Sequence, residues 1–164
     1  MECIKYVVGD AVFPFTEGNK IIAHICNDVG GWGAGFVLAL SRRWKTPEES
    51  YLNWFCGGGD CGGFYLGSTQ FVQVDDAIWV ANMIAQTGLE PREGVPPIRY
   101  QALASCLKSV AIKAEELQAS VHMPRIGCGL AGGTWDRVEP IIREQLCARE
   151  IPVYVYDLPD QPVS

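Results

Sequence analysis

The sequence lacks the features that mark membrane proteins, duplex-binding proteins and secreted proteins. No apolar run approaches the roughly 20 residues that a transmembrane helix requires. Basic residues are few, with 13 Lys and Arg against 19 Asp and Glu, so the net charge is −6. Binding to duplex DNA or RNA depends on clustered positive charge, and the longest basic run here is Arg42-Arg43. The first residues show no signal-peptide layout, and we expect a cytoplasmic protein without membrane or duplex partners.

Cysteine spacing gives no sign of a disulfide framework or of a zinc site. The chain has seven cysteines, an odd number, and none of them forms a Cys-x-x-Cys pair. Cys56 and Cys61 flank a run of glycines and are close in sequence, so pairing or metal binding stays open for these two alone. We expect most of the seven to behave as small apolar residues in a reducing compartment. His24 and His122 lie in apolar segments, and we expect their ring nitrogens to find hydrogen-bond partners within the strands. No metal site is predicted.

Alternating apolar and amphipathic segments predict an α/β fold. The predicted strands span residues 4–8, 21–25, 68–74, 78–84, 121–126 and 151–156. The predicted helices span residues 34–44, a segment from 47 onward, 100–117 and 135–147, and residues 57–63 and 86–97 are predicted loops. Strands that alternate with helices predict a three-layer α/β/α arrangement around a largely parallel mixed sheet. The length of 164 residues, without a linker or repeat, predicts a single domain over residues 1–164, which we expect to be a monomer.

Two glycine-rich turns, each between a predicted strand and a predicted helix, are the strongest functional signal. Residues 26–36 read Cys-Asn-Asp-Val-Gly-Gly-Trp-Gly-Ala-Gly-Phe, and residues 124–135 read Pro-Arg-Ile-Gly-Cys-Gly-Leu-Ala-Gly-Gly-Thr-Trp. Glycines let main-chain N–H groups approach a ligand closely, and the start of a helix favours negative charge. Neither turn contains a lysine, so the two together predict a site that holds a diphosphate and its sugar by main-chain groups. In a parallel sheet both turns would lie beyond the carboxyl ends of the strands, where ligands bind.

These motifs, in this order, resemble the macrodomain family of ADP-ribose-binding proteins. The matching segments are Gly9-Asp10, residues 23–27 leading into the first turn, residues 82–86 (Asn-Met-Ile-Ala-Gln) and the second turn. The resemblance covers nearly the whole chain and looks closest to the branch of the terminal ADP-ribose protein glycohydrolase and the ADP-ribose 1″-phosphate phosphatase. It implies a macrodomain fold, ADP-ribose or an ADP-ribosylated protein as the partner, and no cofactor.

The resemblance also implies roles for single residues. Asp10, with Ala11 beside it, would contact the adenine amino group, although a carboxylate after a strand also caps turns. Asn27 would face the distal ribose, although asparagine also stabilises turns. Tyr156 would lie either in the core or along the adenine pocket.

The remaining predicted contacts come from the two turns. The ligand would be surrounded by Gly33, Ala34, Gly35 and Phe36 of the first turn and by Gly127, Cys128, Gly129, Leu130 and Ala131 of the second. Asn27 and Gly35 are the predicted catalytic positions.

The chain departs from the glycohydrolase at two positions. The mechanism of that enzyme uses a lysine in the strand-end segment and an aspartate just after the Gly-Cys-Gly-Leu run, where this chain has Gln86 and Ala131. Neither residue can act as an amine nucleophile or as a carboxylate base, so a lysine adduct is not expected. Cys128 is not expected to be a nucleophile either, because the family uses none at this place.

The predicted function is hydrolysis of ADP-ribose esters by an oriented water. The candidate substrates are ADP-ribosyl groups on acidic side chains and 1″-modified or O-acylated ADP-ribose. The alternative from another class is a non-catalytic reader of mono-ADP-ribosylated proteins. A third possibility keeps the fold but binds another nucleotide.

Overall fold

The computed structural model describes residues 2–57 and 63–159. Its six strands are β1 (Ile4–Val8), β2 (Lys20–Asn27), β3 (Thr69–Asp75), β4 (Ile78–Gln86), β5 (Ser120–Met123) and β6 (Val153–Asp157). Its four helices are α1 (Phe36–Arg43), α2 (Thr46–Phe55), α3 (Tyr100–Leu117) and α4 (Trp135–Gln145), and a 3₁₀ helix follows at Cys147–Arg149. All predicted strands and helices are present, with boundaries displaced by a few residues. Cys61 and most of the predicted loop at 57–63 lie outside the described residues.

The six strands form one mixed sheet in the order β1-β6-β5-β2-β4-β3. Four of the neighbouring pairs are parallel, and only β3 and β4 run antiparallel, joined by a short connection through Asp76 and Ala77. This arrangement confirms the prediction of a largely parallel mixed sheet. β2 and β5 are parallel neighbours, so the segments that follow their carboxyl ends leave the sheet at the same edge.

Helices cover both faces of the sheet, which confirms the three-layer prediction. Successive β2 residues point to opposite faces, and Ile21 belongs to one apolar cluster while Ile22 belongs to the other. The first cluster includes the inner faces of α3 and α4, among them Leu103 and Ile142. The second cluster includes the inner faces of α1 and α2, among them Leu40.

The helix ends follow from local sequence. α2 has Pro47 in its first turn, where the N–H that proline lacks would have no partner within the helix. The two glutamates that follow Pro47 are stabilised by the positive end of the helix dipole. α3 carries a buried stripe that includes Leu107 and Val110, and it ends where Gln118 takes a left-handed conformation. No helix within residues 2–57 and 63–159 is both long enough and apolar enough to cross a membrane.

A disulfide joins Cys3 to Cys147. Cysteine spacing does not predict this bond, and these two residues are exceptions to the expectation that most of the seven behave as small apolar residues. Cys3 lies just before β1 and Cys147 begins the 3₁₀ helix before β6. Because β1 and β6 are parallel neighbours, two residues separated by 144 positions in sequence come together. No spacing rule signals such a pair, since the contact depends on the order of strands in the sheet.

Candidate functional site

The two glycine turns lie side by side at the carboxyl edge of the sheet. The first turn, residues 28–35, joins β2 to α1, and the second, residues 124–134, joins β5 to α4. A Cβ atom placed on Gly35 would lie 3.4 Å from Cδ1 of Leu130, so the far ends of the two turns lie close together. Gly33, Ala34, Gly35, Gly129 and Leu130 are exposed around this contact. The two stretches predicted to hold a ligand thus form one continuous surface.

Asn27, at the end of β2, organises the first turn. A bulge between Cys26 and Asn27 shifts the register, so that Asn27 lies opposite Gln86 of β4. Its Oδ1 accepts hydrogen bonds from the N–H groups of Val29 at 3.0 Å and Gly31 at 2.9 Å. Its Nδ2 donates to the carbonyl of Gly31 at 2.8 Å. The residue is 7% exposed, and most of the hydrogen-bonding capacity of its side chain serves the turn.

Tyr51 of α2 completes this network and was not predicted from the sequence. Its hydroxyl donates towards the main-chain oxygen of Asn27 at 2.7 Å and towards Asn27 Oδ1 at 2.9 Å. The same hydroxyl accepts a hydrogen bond from the N–H of Gly30 at 3.1 Å. Nothing in the sequence of α2 distinguishes this tyrosine from an ordinary core aromatic.

The first turn leads into α1 through a conformation that only glycine adopts easily. Gly35 precedes the first helical residue, Phe36, with φ 84° and ψ −148°. A residue without a side chain leaves the start of α1 open, and the N–H of Leu38 already bonds to the carbonyl of Gly35 at 3.1 Å. The Phe36 ring packs inward, with its centroid 5.8 Å from that of His24. With Gly35 exposed and the Phe36 ring packed inward, main-chain atoms are exposed at this helix start.

Asp28 connects the first turn to the loop after β4. Its carboxylate accepts hydrogen bonds from the hydroxyl of Thr87 at 2.8 Å and from the N–H of Gly88 at 2.9 Å. The side-chain amide of Gln86 donates to the carbonyl of Gly88 at 3.0 Å, and Gln86 is buried. Gln86 thus supports the loop after β4.

The second turn is held by main-chain hydrogen bonds, both within the turn and from Ile98. The N–H of Gly132 donates to the carbonyl of Gly129 at 3.0 Å, and the N–H of Ile98 donates to the carbonyl of Ala131 at 3.0 Å. Gly127 has φ +78°, and a Cβ atom there would lie 2.5 Å from Cδ1 of Ile98. Ala131 is buried, whereas Leu130 is 65% exposed. The turn is therefore rigid at its base and open at its tip.

Cys128, within the second turn, has the character of a structural thiol. Burial raises its pKa above the ordinary value, although nearby Arg125 opposes the shift. Its Sγ donates to the carbonyl of Ile126 at 3.5 Å. A raised pKa keeps the sulfur protonated near neutral pH, which is the opposite of what a nucleophilic cysteine requires.

Asp10, Ala11 and Tyr156 lie at the other end of the same edge. The N–H of Gly9 donates to the carbonyl of Asp157 at 2.9 Å, which sets the turn that follows β1 beside the end of β6. Asp10 Oδ1 accepts a hydrogen bond from the N–H of Val12 at 3.1 Å, and Ala11 is buried. Asp10 therefore caps its own turn, and this bond occupies only one of its two carboxylate oxygens.

Tyr156 is buried behind that turn. Its hydroxyl lies 2.7 Å from Nδ1 of His122, and the Phe15 ring packs edge-on against its ring at 6.0 Å. Burial raises the pKa of Tyr156 to about 12, so the hydroxyl stays neutral. The ring also contacts the Gly9 position, where a Cβ atom would lie 3.4 Å from its Cδ2.

Concave features also lie away from this edge. A pocket of about 510 Å³ opens at the opposite edge of the sheet, beside the first residues of β5 and β6. Two of its polar groups are already engaged, because Arg149 pairs with Glu115 at 2.9 Å and Asn19 donates to the carbonyl of Leu117 at 2.8 Å. Residues 2–57 and 63–159 contain no group of three His, Cys, Asp or Glu side chains arranged to hold a metal ion.

Solved structures with similar folds include several at high sequence identity. A Streptomyces coelicolor macrodomain protein is 55% identical, with a TM-score of 0.84 over 94% of this chain and 98% of that chain. A Bacteroides thetaiotaomicron protein of unknown function is also 55% identical, with a TM-score of 0.91 over 94% of this chain and 98% of that one. Thermosipho africanus DarTG, solved in complex with ADP-ribose, is 18% identical and shares the fold alone, with a TM-score of 0.68 over 88% of this chain and 39% of that chain.

Curated relatives include long and short proteins. The mouse chromodomain-helicase-DNA-binding protein 1-like is 32% identical over 169 residues, covering 95% of this chain. The chain spans only 18% of the length of that protein. The ADP-ribose 1″-phosphate phosphatase of Lodderomyces elongisporus is 26% identical over 94% of this chain and 99% of its own length. No protein-family model matches the chain.

Proposed function

Because the chain belongs to the macrodomain family, we propose that it binds ADP-ribose along the edge formed by the two glycine turns. The observation that carries the proposal is the closeness of the two turns, since a Cβ atom placed on Gly35 would lie 3.4 Å from Leu130. Two adjacent main-chain surfaces at helix starts suit a diphosphate. The DarTG complex with ADP-ribose and the fungal ADP-ribose 1″-phosphate phosphatases support the ligand.

The proposed ligand runs along the whole edge. Asp10 accepts a hydrogen bond from the adenine amino group through the carboxylate oxygen that does not cap the turn, with Ala11 and Tyr156 beside the base. The phosphates lie between the two turns, against residues 33–36 and 127–131. The distal ribose lies at the base of the first turn, near Asn27.

We further propose that the protein hydrolyses ADP-ribose esters, such as those on acidic side chains or 1″-modified and O-acylated ADP-ribose. When an acidic side chain is the attached group, water adds at the anomeric carbon and the carbon–oxygen bond to the side chain breaks. The side chain leaves as a carboxylate, a stable anion that requires no general acid. The proton of the water passes to a phosphate oxygen of the ligand. Such a reaction needs positioning more than acid–base groups, which agrees with Gln86 and Ala131 at the divergent positions.

A non-catalytic reader of mono-ADP-ribosylated proteins is the second candidate. The observation that favours it is the engagement of Asn27, whose Oδ1 and Nδ2 are both bonded within the turn. An amide committed to the turn has one remaining N–H with which to orient a water or a sugar hydroxyl.

We also propose that residues 1–164 act as a single domain, because both apolar clusters pack on one sheet.

Release of free ADP-ribose from a protein modified on acidic side chains tests the proposal. The parent chain should release ADP-ribose faster than buffer alone. A Gly33→Glu variant, in which a carboxylate occupies the proposed phosphate surface, serves as the matched control and should match buffer. Tight binding of the modified protein without release would favour the reader. Absence of both binding and release would refute ADP-ribose as the ligand.

A further inference from the structure

Tyr51 connects α2 to the first glycine turn through a single hydroxyl. The side chain is fully buried, and its hydroxyl lies within hydrogen-bond distance of Asn27 O, Asn27 Oδ1 and the N–H of Gly30. A tyrosine hydroxyl has one hydrogen to donate and can accept two hydrogen bonds. Here the hydrogen is directed at the two Asn27 oxygens, and an acceptor site is filled by Gly30. The hydroxyl therefore fixes the entrance of the turn and its middle at once.

The effect of Tyr51 extends to the neighbouring amides through Asn27. Oδ1 of Asn27 also receives the N–H groups of Val29 and Gly31, so three consecutive amides point at one small polar centre. Burial raises the pKa of the Tyr51 hydroxyl, so it remains a neutral donor. These three inward-pointing amides fix the backbone of residues 29–31, which lead through Trp32 into residues 33–35.

The ring of Tyr51 packs against two neighbouring aromatic rings. Its centroid lies 5.3 Å from that of Trp32 and 5.9 Å from that of Phe64. Trp32 is itself fixed, because its Nε1 donates to Oγ of Ser41 at 2.8 Å and that hydroxyl donates to Glu48. α2 therefore presents a rigid support, and the turn is bonded to it rather than to solvent.

We propose that Tyr51 is a positioning residue, which holds the first glycine turn in the shape that receives the distal ribose and its phosphate. This role rests on the proposed binding of ADP-ribose, and it extends that function to a side chain that touches no ligand. A turn already in its binding shape pays no ordering cost when the ligand arrives, so loss of the hydroxyl should weaken binding at this end of the site alone.

Tyr51→Phe tests the role, with Tyr6→Phe as the matched control. Tyr6 also has a hydrogen-bonded hydroxyl, which accepts from Nε1 of Trp135 at 3.0 Å and donates to Glu139, but it lies outside the turn. Amide hydrogen exchange of residues 29–31 in the ligand-free protein should accelerate about tenfold in Tyr51→Phe and stay unchanged in Tyr6→Phe. The Kd for ADP-ribose should rise about tenfold in Tyr51→Phe, the loss expected for one buried hydrogen-bonded group. The Kd for AMP, which lacks the distal ribose, should not change.

The outcomes separate this role from the proposed function. If the parent chain binds no ADP-ribose, the proposed function fails and the positioning role fails with it. If the parent chain binds ADP-ribose and Tyr51→Phe binds it equally well, only the role of Tyr51 fails. Unchanged exchange at residues 29–31, or equal weakening of ADP-ribose and AMP, would also overturn it, because each points to general support of the fold.

Discussion

The guanidinium of Arg125 and the carboxylate of Asp157 form a bidentate ion pair at the carboxyl edge of the sheet. Nε lies 2.8 Å from Oδ1 and Nη2 lies 2.9 Å from Oδ2, with both side chains largely shielded from water. The carbonyl of Asp157 also accepts the N–H of Gly9, and the carbonyl of Arg125 accepts the N–H of Cys128 at 3.3 Å. The pair therefore fixes the Gly9-Asp10 turn, which we assign to the adenine, relative to the second glycine turn, which we assign to the phosphates.

Asp10→Ala should weaken ADP-ribose binding by about 1–3 kcal/mol, because the adenine amino group loses a charged hydrogen-bond partner. Calorimetry on the parent and the variant measures this loss. Asp76→Ala, in the exposed connection between β3 and β4, is the control and should bind like the parent. Equal affinity of Asp10→Ala and the parent would leave Asp10 with its capping role alone.

Gly33→Glu should abolish binding while leaving the fold intact. A Cβ atom at Gly33 meets no atom within 4 Å, so the side chain is tolerated, whereas its charge repels a diphosphate. Gly35 is less suitable for this test, because any side chain at φ 84° and ψ −148° adds strain of about 1–3 kcal/mol. Thermal stabilisation by ADP-ribose should vanish in Gly33→Glu and persist in part in Gly33→Gln, which has the same size and no charge. Full stabilisation of Gly33→Glu would place the ligand elsewhere.

Asn27→Ala should slow the release of ADP-ribose by about tenfold more than it raises Kd, if its remaining N–H orients the reacting groups. Tyr51→Phe is the informative comparison, because it disturbs the same turn and keeps the amide. Gln86→Ala and Cys128→Ser should have mild effects, since neither residue is assigned a proton-transfer or nucleophilic role. Single-turnover kinetics on the variants provide the measurement. Loss of turnover in Cys128→Ser alone would require covalent catalysis to be reconsidered.

Two buried histidines should make the protein sensitive to mild acid. Desolvation lowers the pKa of His24 to about 4, against a hydrogen bond from its ring to Asn82, and lowers that of His122 to about 4 with help from the Lys20 charge. The unfolded chain binds protons at both histidines near pH 6.5, so stability falls as the pH drops from 6.5 towards 4. Protonation of each histidine should lower the free energy of unfolding by about 2 kcal/mol between pH 7 and pH 5.

Urea unfolding at pH 7, 6 and 5 measures this loss. A His122→Gln variant should show about half the pH dependence of the parent. Stability that does not change between pH 7 and pH 5 would contradict the neutral state of the two histidines.

Reduction of the Cys3–Cys147 disulfide should lower the free energy of unfolding by about 4–5 kcal/mol, because the bond closes a very long loop in the unfolded chain. Thermal or urea unfolding with and without dithiothreitol measures the change, and Cys3→Ser with Cys147→Ser should reproduce it. Cys56→Ser, which removes an exposed thiol, is the control and should unfold like the parent. A midpoint that does not respond to dithiothreitol would mean that the bond is not formed in solution.

The sequence predicted those features that depend on neighbouring residues. Apolar periodicity located the strands and helices, and clustered glycines located both turns, because each pattern is local. The contributions of Tyr51 and Asp157 are not local. Tyr51 of α2 packs beneath the first glycine turn, which lies some twenty positions earlier in the chain. The link between its hydroxyl and the turn is therefore visible only in the folded structure.

Asn27 and Cys3 illustrate the same limit in different ways. From the sequence, Asn27 could stabilise the turn or face a ribose, and the structure adds three hydrogen bonds within the turn. Cys3 has no partner nearby in sequence, and its bond exists because the first and last strands are neighbours.

The bond between Cys3 and Cys147 turns almost the whole polypeptide into a closed ring. Both glycine turns, all four helices and the first five strands belong to that ring. A protease that cuts the exposed loop after β4 therefore opens the ring without dividing the molecule. The two pieces stay joined through sulfur and share one sheet, so the halves of the ligand site remain tethered after a single break.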